Sequence, residues 1–315
     1  MSQVIVVGSF NVDHVWRCDA LPLRGQTLAG EYSTGPGGKG FNQAIAAARS
    51  GGLTTFICSL GDDDGAALAR RLAADASLQL VAFDAVSPTG TAGIWVDSTG
   101  HNSIVIGPGA NGELSESFVA SHGGSFGSAR VVLAQLENPL PAITHALRLG
   151  RANNVVTILN PAPAVKSLPV ECLSLVDILT PNETELQLLA DAPDVSASMS
   201  DEELHAICRR VLPHGTVVLT LGENGSFVSH GDDLRGDAMA FYRVGIIPAK
   251  TVDTTGAGDA FNGALAATFR HDGVFKDRIQ WASAYAAMST ESPGAAMSMP
   301  LANDVTERFG ARFGA

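Results

Sequence analysis

The stretch VDTTGAGDAFNG at residues 252–263 has the residue types of a phosphate site that also accepts a proton. Three small residues, 256–258, stand between a polar turn and an apolar run at 260–269 that predicts a helix. Small residues at a helix start let a phosphate approach backbone N–H groups, where the helix dipole adds positive potential. Asp259 would repel that phosphate, unless its carboxylate takes a proton from a hydroxyl that attacks the phosphate. The alternative is an aspartate that only favours the helix start.

A second glycine-rich stretch, GPGGKGFNQA at residues 35–44, opens a helix predicted at 44–49, with a start one turn earlier as the alternative. Together the two stretches resemble the paired motifs of the ribokinase-like (phosphofructokinase-B) carbohydrate kinases. The resemblance continues, in the family's order and over nearly the whole chain, through NVD at 11–13, QLE at 135–137, NPAP at 160–163, TPNETE at 180–185 and TLG at 220–222.

The resemblance implies an ATP-dependent kinase that transfers the γ-phosphoryl to the terminal hydroxymethyl of a pentose, with D-ribose as the expected acceptor. Within the family, phosphorylation of fructose, another hexose or a nucleoside remains an alternative. Outside the enzymes, the same fold could serve as a catalytically silent sugar or nucleotide sensor.

Composition limits the partners of this 315-residue chain. It carries 32 acidic and 20 basic residues, a net charge of −12, which argues against a nucleic acid or an anionic membrane as partner. The 4 cysteines lack metal or CxxC spacing, which predicts reduced thiols in a cytoplasmic protein. No secretory leader is recognised, and no apolar run approaches the ~20 residues of a membrane span.

Strand-like apolar segments alternate with helical ones along the chain. This predicts an α/β fold with a doubly wound, mostly parallel sheet flanked by helices. The strands are predicted at 4–8, 54–60, 131–136, 155–159, 176–180 and 216–221, with further helices at 66–74, 201–212 and, last in the chain, 276–289.

Two segments, 15–32 and 91–106, fit neither a helix nor a core strand, and the second has the pattern of a β-hairpin. The resemblance implies a β lid at 13–35 and 90–107, with an α/β core for nucleotide and sugar at 1–12, 36–89 and 108–315. Apolar lid faces, with the resemblance, predict a homodimer through the lid sheet; Trp95 packing over the sugar is the alternative.

Polar residues follow several predicted strands, where open α/β sheets bind ligands. The resemblance implies that the sugar is held by Asn11, Asp13, Gly38, Lys39, Gly40, Asn42, Glu137 and Asp259. Residues 35–40 also match the dinucleotide pattern GxGxxG, but the segment before them is too short and polar for a Rossmann strand. The carboxylates at 62–64 favour a helix N-cap over a metal site.

The resemblance also assigns the nucleotide and cation sites. Nucleotide binding is expected at Asn182, Thr220, Leu221, Gly222, Glu223, Asn224, Gly225, Gly258 and Ser283, and magnesium, through water, at Glu185. A monovalent cation, K⁺, is expected at Asp253, Thr255, Ser289, Ser292, Gly294 and Ser298. A plain helix cap at Asn182 and a hairpin turn at 222–225 are the alternatives.

In the expected reaction, Asp259 is the base and the amides of Gly256, Ala257 and Gly258 form the anion hole. With an unshifted pKa near ~3.9, Asp259 would be ionised at neutral pH.

Overall fold

The computed structural model describes residues 3–192 and 194–310. Within this part of the chain, nine strands form a large sheet and four a small one. In chain order the strands are β1 (Val4–Val7), β2 (Asn11–Arg17), β3 (Glu31–Gly37), β4 (Thr54–Leu60), β5 (Gln79–Asp84), β6 (Gly90–Val96), β7 (Asn102–Gly107), β8 (Val131–Ala134), β9 (Val156–Leu159), β10 (Ile178–Leu179), β11 (Thr216–Thr220), β12 (Ser226–Ser229) and β13 (Phe241–Val244). The helices are α1 (Lys39–Arg49), α2 (Asp64–Asp75), α3 (Glu116–Ser121), α4 (Leu140–Ala152), α5 (Val170–Leu173), α6 (Glu183–Ala190), α7 (Asp201–Val211), α8 (Ala257–Thr268), α9 (Phe275–Ser289) and α10 (Ala302–Phe309).

The large sheet has the order β13-β12-β11-β10-β9-β8-β1-β4-β5. Its strands run parallel from β5 to β11, whereas β12 and β13 form an antiparallel edge. Apolar clusters cover both faces of the sheet, as parallel strands without polar alternation require. The predicted doubly wound, mostly parallel sheet is therefore confirmed.

Strand β1 lies at the point where the strand order reverses, because the chain builds outward to β4 and β5 on one side and to β8 on the other. Ligands of open α/β sheets bind beyond the carboxyl ends of the strands at such a point. The residues that follow β1 and β8 therefore border the crevice in which the predicted sites meet.

The small sheet has the order β3-β2-β6-β7 and is built from the two segments for which a lid was predicted. Strand β2 pairs antiparallel with β3 and parallel with β6, and β6 forms the expected hairpin with β7. The GxGxxG pattern falls on the end of edge strand β3, which lies in no parallel βαβ unit. The dinucleotide alternative is therefore excluded.

Helices α1 and α8 pack closely against each other on one face of the large sheet. A Cβ added at Gly263 of α8 would lie 2.3 Å from the carbonyl oxygen of Gln43 on α1, so the two backbones are in contact. This approach places the N-terminal turns of both helices beside one another.

Some predicted boundaries differ from the structure. Helix α1 begins at Lys39, close to the earlier of its two predicted starts, and its N-cap is Gly38 with φ 86°. Strand β10 is shorter than the predicted 176–180. The predicted last helix is followed by α10. No helix in the described residues is long and apolar enough to cross a bilayer.

Candidate active site

The first turn of α8 begins on a glycine that no other residue could easily replace. Gly256 is the N-cap with φ 75°, and a Cβ there would lie 2.8 Å from the Cβ of Ala295. The N–H of Ala257 donates to the carbonyl oxygen of Thr254 at 3.1 Å. Within the described residues, the N–H groups of Gly256 and Gly258 have no acceptor. The turn therefore retains donors for an anion, although the amide of Ala257 is already engaged.

Asp259 is the third residue of α8 and is 7% exposed. Its Oδ2 accepts from Nδ2 of Asn42 and its Oδ1 from Nε2 of Gln43, both at 2.9 Å. Burial raises its pKa, Lys39 and the two amides act in the opposite direction, and Glu137 adds to the rise. The expected unshifted pKa is therefore wrong, because the sequence could not show how deeply this carboxylate is buried.

Lys39 and Glu137 meet where α1 begins. Oε2 of Glu137 accepts the backbone N–H of Lys39 at 2.9 Å and also the hydroxyl of Ser9. Burial lowers the pKa of Lys39, but Asp259, Glu137 and Glu185 together raise it above its ordinary value. The ammonium group therefore stays charged within a pocket of carboxylates.

Asp13 extends from β2 over the same pocket. A Cβ on Gly37 would lie 2.2 Å from either of its carboxylate oxygens, so the side chain occupies the space above that glycine. Burial, followed by the nearby Glu137 and Asp259, raises the pKa of Asp13 to about 7. Asp13 therefore belongs electrostatically to the same site as Asp259.

Asn11 is oriented by Asn111, a residue that sequence reasoning missed. Nδ2 of Asn111 donates to Oδ1 of Asn11 at 2.8 Å and to the carbonyl oxygen of Phe10 at 2.9 Å. Oδ1 of Asn111 accepts the N–H of Phe10 at 3.0 Å. Asn111 lies in a short 3₁₀ helix, Gly109–Glu113, about 100 residues away in sequence, so no local pattern indicated this contact.

The glycines around Lys39 are required by packing within the protein. A Cβ on Gly38 would lie 2.8 Å from the backbone nitrogen of Asn11, and one on Gly40 would lie 2.4 Å from that of Ser9. That these glycines also bring the backbone close to a sugar remains a prediction. Oδ1 of Asn42, by contrast, is buried without a hydrogen-bond partner in the described chain, which fits a ligand hydroxyl.

The predicted magnesium residue is part of a helix cap. Oδ1 of Asn182 accepts the N–H of Glu185 at 2.8 Å, and Oε2 of Glu185 accepts the N–H of Asn182 at 2.9 Å. Oε1 of Glu185 accepts from Nδ2 of Asn182 at 3.1 Å. Burial raises the pKa of Glu185, opposed by the Asn182 N–H and Lys39. Since both carboxylate oxygens are engaged, the pair suits magnesium held through water better than direct ligation.

The β11–β12 hairpin lies beside this cap, because the N–H of Thr220 donates to the carbonyl oxygen of Pro181 at 2.9 Å. At its turn, Gly222 has φ 53° and open space where a Cβ would lie. Gly225 has φ 85°, and its Cβ would lie 2.2 Å from the carbonyl oxygen of Val244. The hairpin turn is thus present, and its first glycine fits the close passage of a ligand.

The predicted cation loops meet at Asp253. Its Oδ1 accepts the N–H and hydroxyl of Thr255 at 2.9 and 2.6 Å, and its Oδ2 accepts the N–H of Gly294 at 2.9 Å. The hydroxyls of Ser289 and Ser298 donate to carbonyl oxygens of their own chain segments, at 2.8 Å each. These oxygen donors are of the kind a hard cation prefers.

Several predicted residues, in the part of the chain that the structure describes, make no hydrogen bond to the nucleotide or cation sites described above. Ser292 lies exposed in the loop before Gly294, and the Ser283 hydroxyl donates to the carbonyl oxygen of Ile279 within α9. Asp63 caps α2 by accepting the N–H of Ala66, as the helix-cap interpretation predicted. Within residues 3–192 and 194–310, no group of three His, Cys, Asp or Glu side chains could hold a metal ion.

Comparison with known proteins decides the family. The pfkB family of carbohydrate kinases matches residues 1–302. The chain belongs to this family. The expected family and enzyme class, a carbohydrate kinase, are thereby confirmed.

Two curated relatives of this pfkB kinase are similar over almost its full length. The ribokinase of Haemophilus influenzae is 35% identical over 308 residues, covering 96% of each chain. The bifunctional ribokinase/ribose-5-phosphate isomerase A of Fructilactobacillus sanfranciscensis is 40% identical over 309 residues, covering 95% of this chain. The chain spans only 55% of that bifunctional relative's length.

A solved structure also matches this pfkB kinase over its length. The structure of Arabidopsis thaliana ribokinase complexed with ribose and ATP superposes with a TM-score of 0.85 at 29% identity. The match covers 97% of this chain and 98% of the other. It confirms the fold, including the small sheet beside the large one.

Proposed function

We propose that this chain phosphorylates D-ribose with ATP at the terminal hydroxymethyl, giving ribose 5-phosphate and ADP. One observation carries the proposal. Asp259 lies buried in the first turn of α8, beside backbone N–H donors and within the field of Lys39 and Glu137. A proton acceptor and an anion site are thereby adjacent, as phosphoryl transfer to a hydroxyl requires. Relatives of this family named as ribokinases support ribose as the acceptor.

The sugar would lie between the small sheet and the start of α1. Asn11 and Asp13 come from β2, Glu137 follows β8, and Lys39 and Asn42 lie on α1. Together they offer hydroxyl groups both donors and acceptors. Asn42 is well placed for a dual role, since its Nδ2 holds Asp259 and its Oδ1 remains for a hydroxyl.

In the chemical step, the terminal hydroxyl oxygen forms a bond to the γ-phosphorus as the bond from that phosphorus to the β-phosphate oxygen breaks. The hydroxyl proton passes to Asp259, and ADP leaves with the electron pair. The N–H groups of Gly256, Gly258 and Asp259 stabilise charge on the transferring group. Burial and Glu137 raise the pKa of Asp259, and the charge of Lys39 opposes them by favouring the ionised base.

The nucleotide would extend from this turn toward the β11–β12 hairpin. Open space at Gly222 and at Gly258, where an added Cβ would meet no atom within 4 Å, supports close passage of phosphates. Magnesium, when bound with ATP, neutralises phosphate charge, and Glu185 would hold it through water.

A monovalent cation would bind at the loops joined by Asp253, beside the phosphate-binding turn. Support comes from the hydrogen bonds that bring Thr255 and Gly294 to the Asp253 carboxylate. Burial acts to raise the pKa of Asp253, but its bonds to Gly294 and Thr255, with Arg17 nearby, lower it overall. A carboxylate whose pKa is lowered in this way suits a cation site.

The acceptor is tested by measuring ADP release from ATP with D-ribose, 2-deoxy-D-ribose, D-fructose and adenosine, each with and without potassium. We expect the highest kcat/KM with ribose and faster turnover with potassium. Faster turnover on fructose or adenosine would replace ribose as the substrate. Binding without turnover on every compound would instead support the sensor alternative.

The role of Asp259 is tested by Asp259→Asn, which keeps the size of the side chain but removes the base. We expect kcat to fall roughly 10²–10⁴-fold, the usual contribution of a positioned acid–base group. Ribose binding, followed calorimetrically, should persist and show that the site is folded. A kcat within about threefold of the unchanged enzyme would remove Asp259 from this role.

A further inference from the structure

A network of buried hydrogen bonds connects the Asp259 carboxylate of α8 with the carbonyl oxygen of Gly258 in the same helical turn. It begins at Oδ1 of Asp259, which accepts from Nε2 of Gln43 at 2.9 Å; the same nitrogen contacts Oδ1 of Asn160 at 3.1 Å. Nδ2 of Asn160 donates to the carbonyl oxygen of Thr180 at 2.9 Å, and the Thr180 hydroxyl donates to Oδ1 of Asn262 at 2.6 Å.

The hydrogen-bond network returns to α8 at the turn proposed to bind the phosphate. Nδ2 of Asn262 donates to the carbonyl oxygen of Gly258 at 2.8 Å, in the turn that carries the anion-binding amides. The circuit thus starts at the base and ends one residue before it, passing through the ends of strands β9 and β10. Gln43, Thr180 and Asn262 are each at most 2% exposed.

The orientation of the Gln43 amide is fixed from both sides. Its Oε1 accepts from Nε2 of Gln135 at 2.6 Å, so its nitrogen must face the carboxylate. A carboxylate can only accept, and a reversed amide would place oxygen against oxygen. Gln43 is therefore held as a donor to Asp259 by a partner that does not contact the base.

We propose that Gln43 is a positioning residue for the reaction: it holds Oδ1 of Asp259 as an ionised acceptor and ties the base to the anion-binding turn through Asn160, Thr180 and Asn262. This inference rests on the proposed function of Asp259. It explains why a glutamine is buried on α1, where an unpaired amide would be costly.

The electrostatic surroundings of Asp259 make this donor important. Lys39 on α1 favours the ionised form, whereas Glu137 after β8, Asp13 on β2 and Glu185 on α6 all oppose it. Burial, the largest contribution, also favours the protonated form, so the hydrogen bonds to Asp259 are needed to stabilise the ionised base. The Gln43 donor lowers the pKa of Asp259, so its loss should raise that pKa.

The test is the pH dependence of kcat/KM for ribose in the full-length protein carrying Gln43→Met, an apolar side chain of similar length. We expect the acid limb to move upward by about one pH unit, as for the loss of one hydrogen bond to a charged group. Activity below the limb should then fall about tenfold, while the plateau at high pH falls far less. A residue with only a structural role would lower the whole profile without moving the limb.

Two further variants keep the test decisive. Gln43→Glu retains the shape and the acceptor for Gln135 but places a carboxyl group beside Asp259, and should move the limb at least as far; it serves if Gln43→Met does not fold. Gln135→Met removes only the support of Gln43 and should move the limb less. An unmoved limb in both Gln43 variants, or a shift no larger than that of Gln135→Met, would overturn the inference. The unchanged enzyme and Asp259→Asn, assayed in parallel, report separately on the proposed function.

Discussion

At the scale of single residues, the site is defined by an excess of negative charge. Asp13, Glu137, Asp259 and Glu185 are coupled around the single ammonium of Lys39. Burial, followed by the neighbouring carboxylates, raises the pKa of Asp13, and burial also raises the pKa of Asp259 and of Glu185. The protein therefore stores unfavourable electrostatic free energy where the substrates are proposed to bind.

Asp13→Asn should make the free protein more stable, and more so at high pH. The folded pKa of about 7 lies above the ordinary value of 3.8, so ionisation destabilises the folded state increasingly between these pH values, and fully above pH 7. We expect the gain in the free energy of unfolding to be about 2.6 kcal/mol larger at pH 8 than at pH 5. Urea unfolding at both pH values measures it.

Asp19→Asn is the matched control, because Asp19 is exposed. Its effect on unfolding should be the same at both pH values. An Asp13→Asn gain that does not grow with pH would contradict the raised pKa. Weaker ribose binding in the same variant would show that the destabilising charge serves the ligand.

At the scale of elements, the first turn of α8 contains two glycines with different physical roles. Gly256 needs its positive φ and the absence of a Cβ because Ala295 packs against it. Gly258 has helical backbone and open space around an added Cβ. Folding therefore requires the first glycine, whereas only a ligand gives a reason for the second.

Gly258→Ala should stabilise the protein and impair the enzyme. Alanine in a helix is favoured over glycine by roughly 0.5–1 kcal/mol. Its methyl group would occupy the space proposed for the phosphates, so kcat/KM for ATP should fall roughly tenfold or more, as for the loss of one hydrogen bond to a charged group. Thermal unfolding and steady-state kinetics on the same preparation measure both effects.

Gly256→Ala provides the comparison. It should lower the melting temperature, because a methyl group there meets Ala295 and an unfavourable φ. If Gly258→Ala left kcat/KM for ATP unchanged, the phosphates could not pass close to this turn.

At the scale of the whole molecule, the small sheet presents an exposed apolar row beside the proposed sugar site. Ile94 pairs with both Val15 and Ile104, so the three side chains share one face with Asp13. Ile104 is 51% exposed. Exposed aliphatic side chains on a sheet next to a binding site suit a subunit interface, and the predicted homodimer would cover this face.

Ile104→Lys should convert such a dimer to a monomer, because the ammonium group would be buried against the second subunit's apolar face. Val105→Lys is the matched control: Val105 is 64% exposed but its side chain lies on the opposite face of the same strand. Sedimentation velocity distinguishes the two outcomes. Equal effects of both substitutions, or a monomeric unchanged protein, would contradict an interface on this face.

Much of the fold could be predicted because it depends on local patterns. Short runs rich in apolar and β-branched residues, such as 54–60, favour buried strands, and glycine stretches before apolar runs indicate helix starts. The length of β10 was overestimated, because the end of a strand depends on where its hydrogen bonds to the neighbouring strands end. Asn111 and Gln43 were missed because their partners lie about 100 or more residues away in sequence.

The sequence by itself determined the family, the alternation of strands and helices, and the residues able to move a proton or accept an anion, because these follow from residue type and local spacing. Only the tertiary structure decided that Asp259 is deeply buried and that two amides of α1 hold its oxygens. It also decided that Asp13, Glu137 and Glu185 oppose its charge. Burial and long-range contacts set a pKa, and neither is encoded in the neighbours of one residue along the chain.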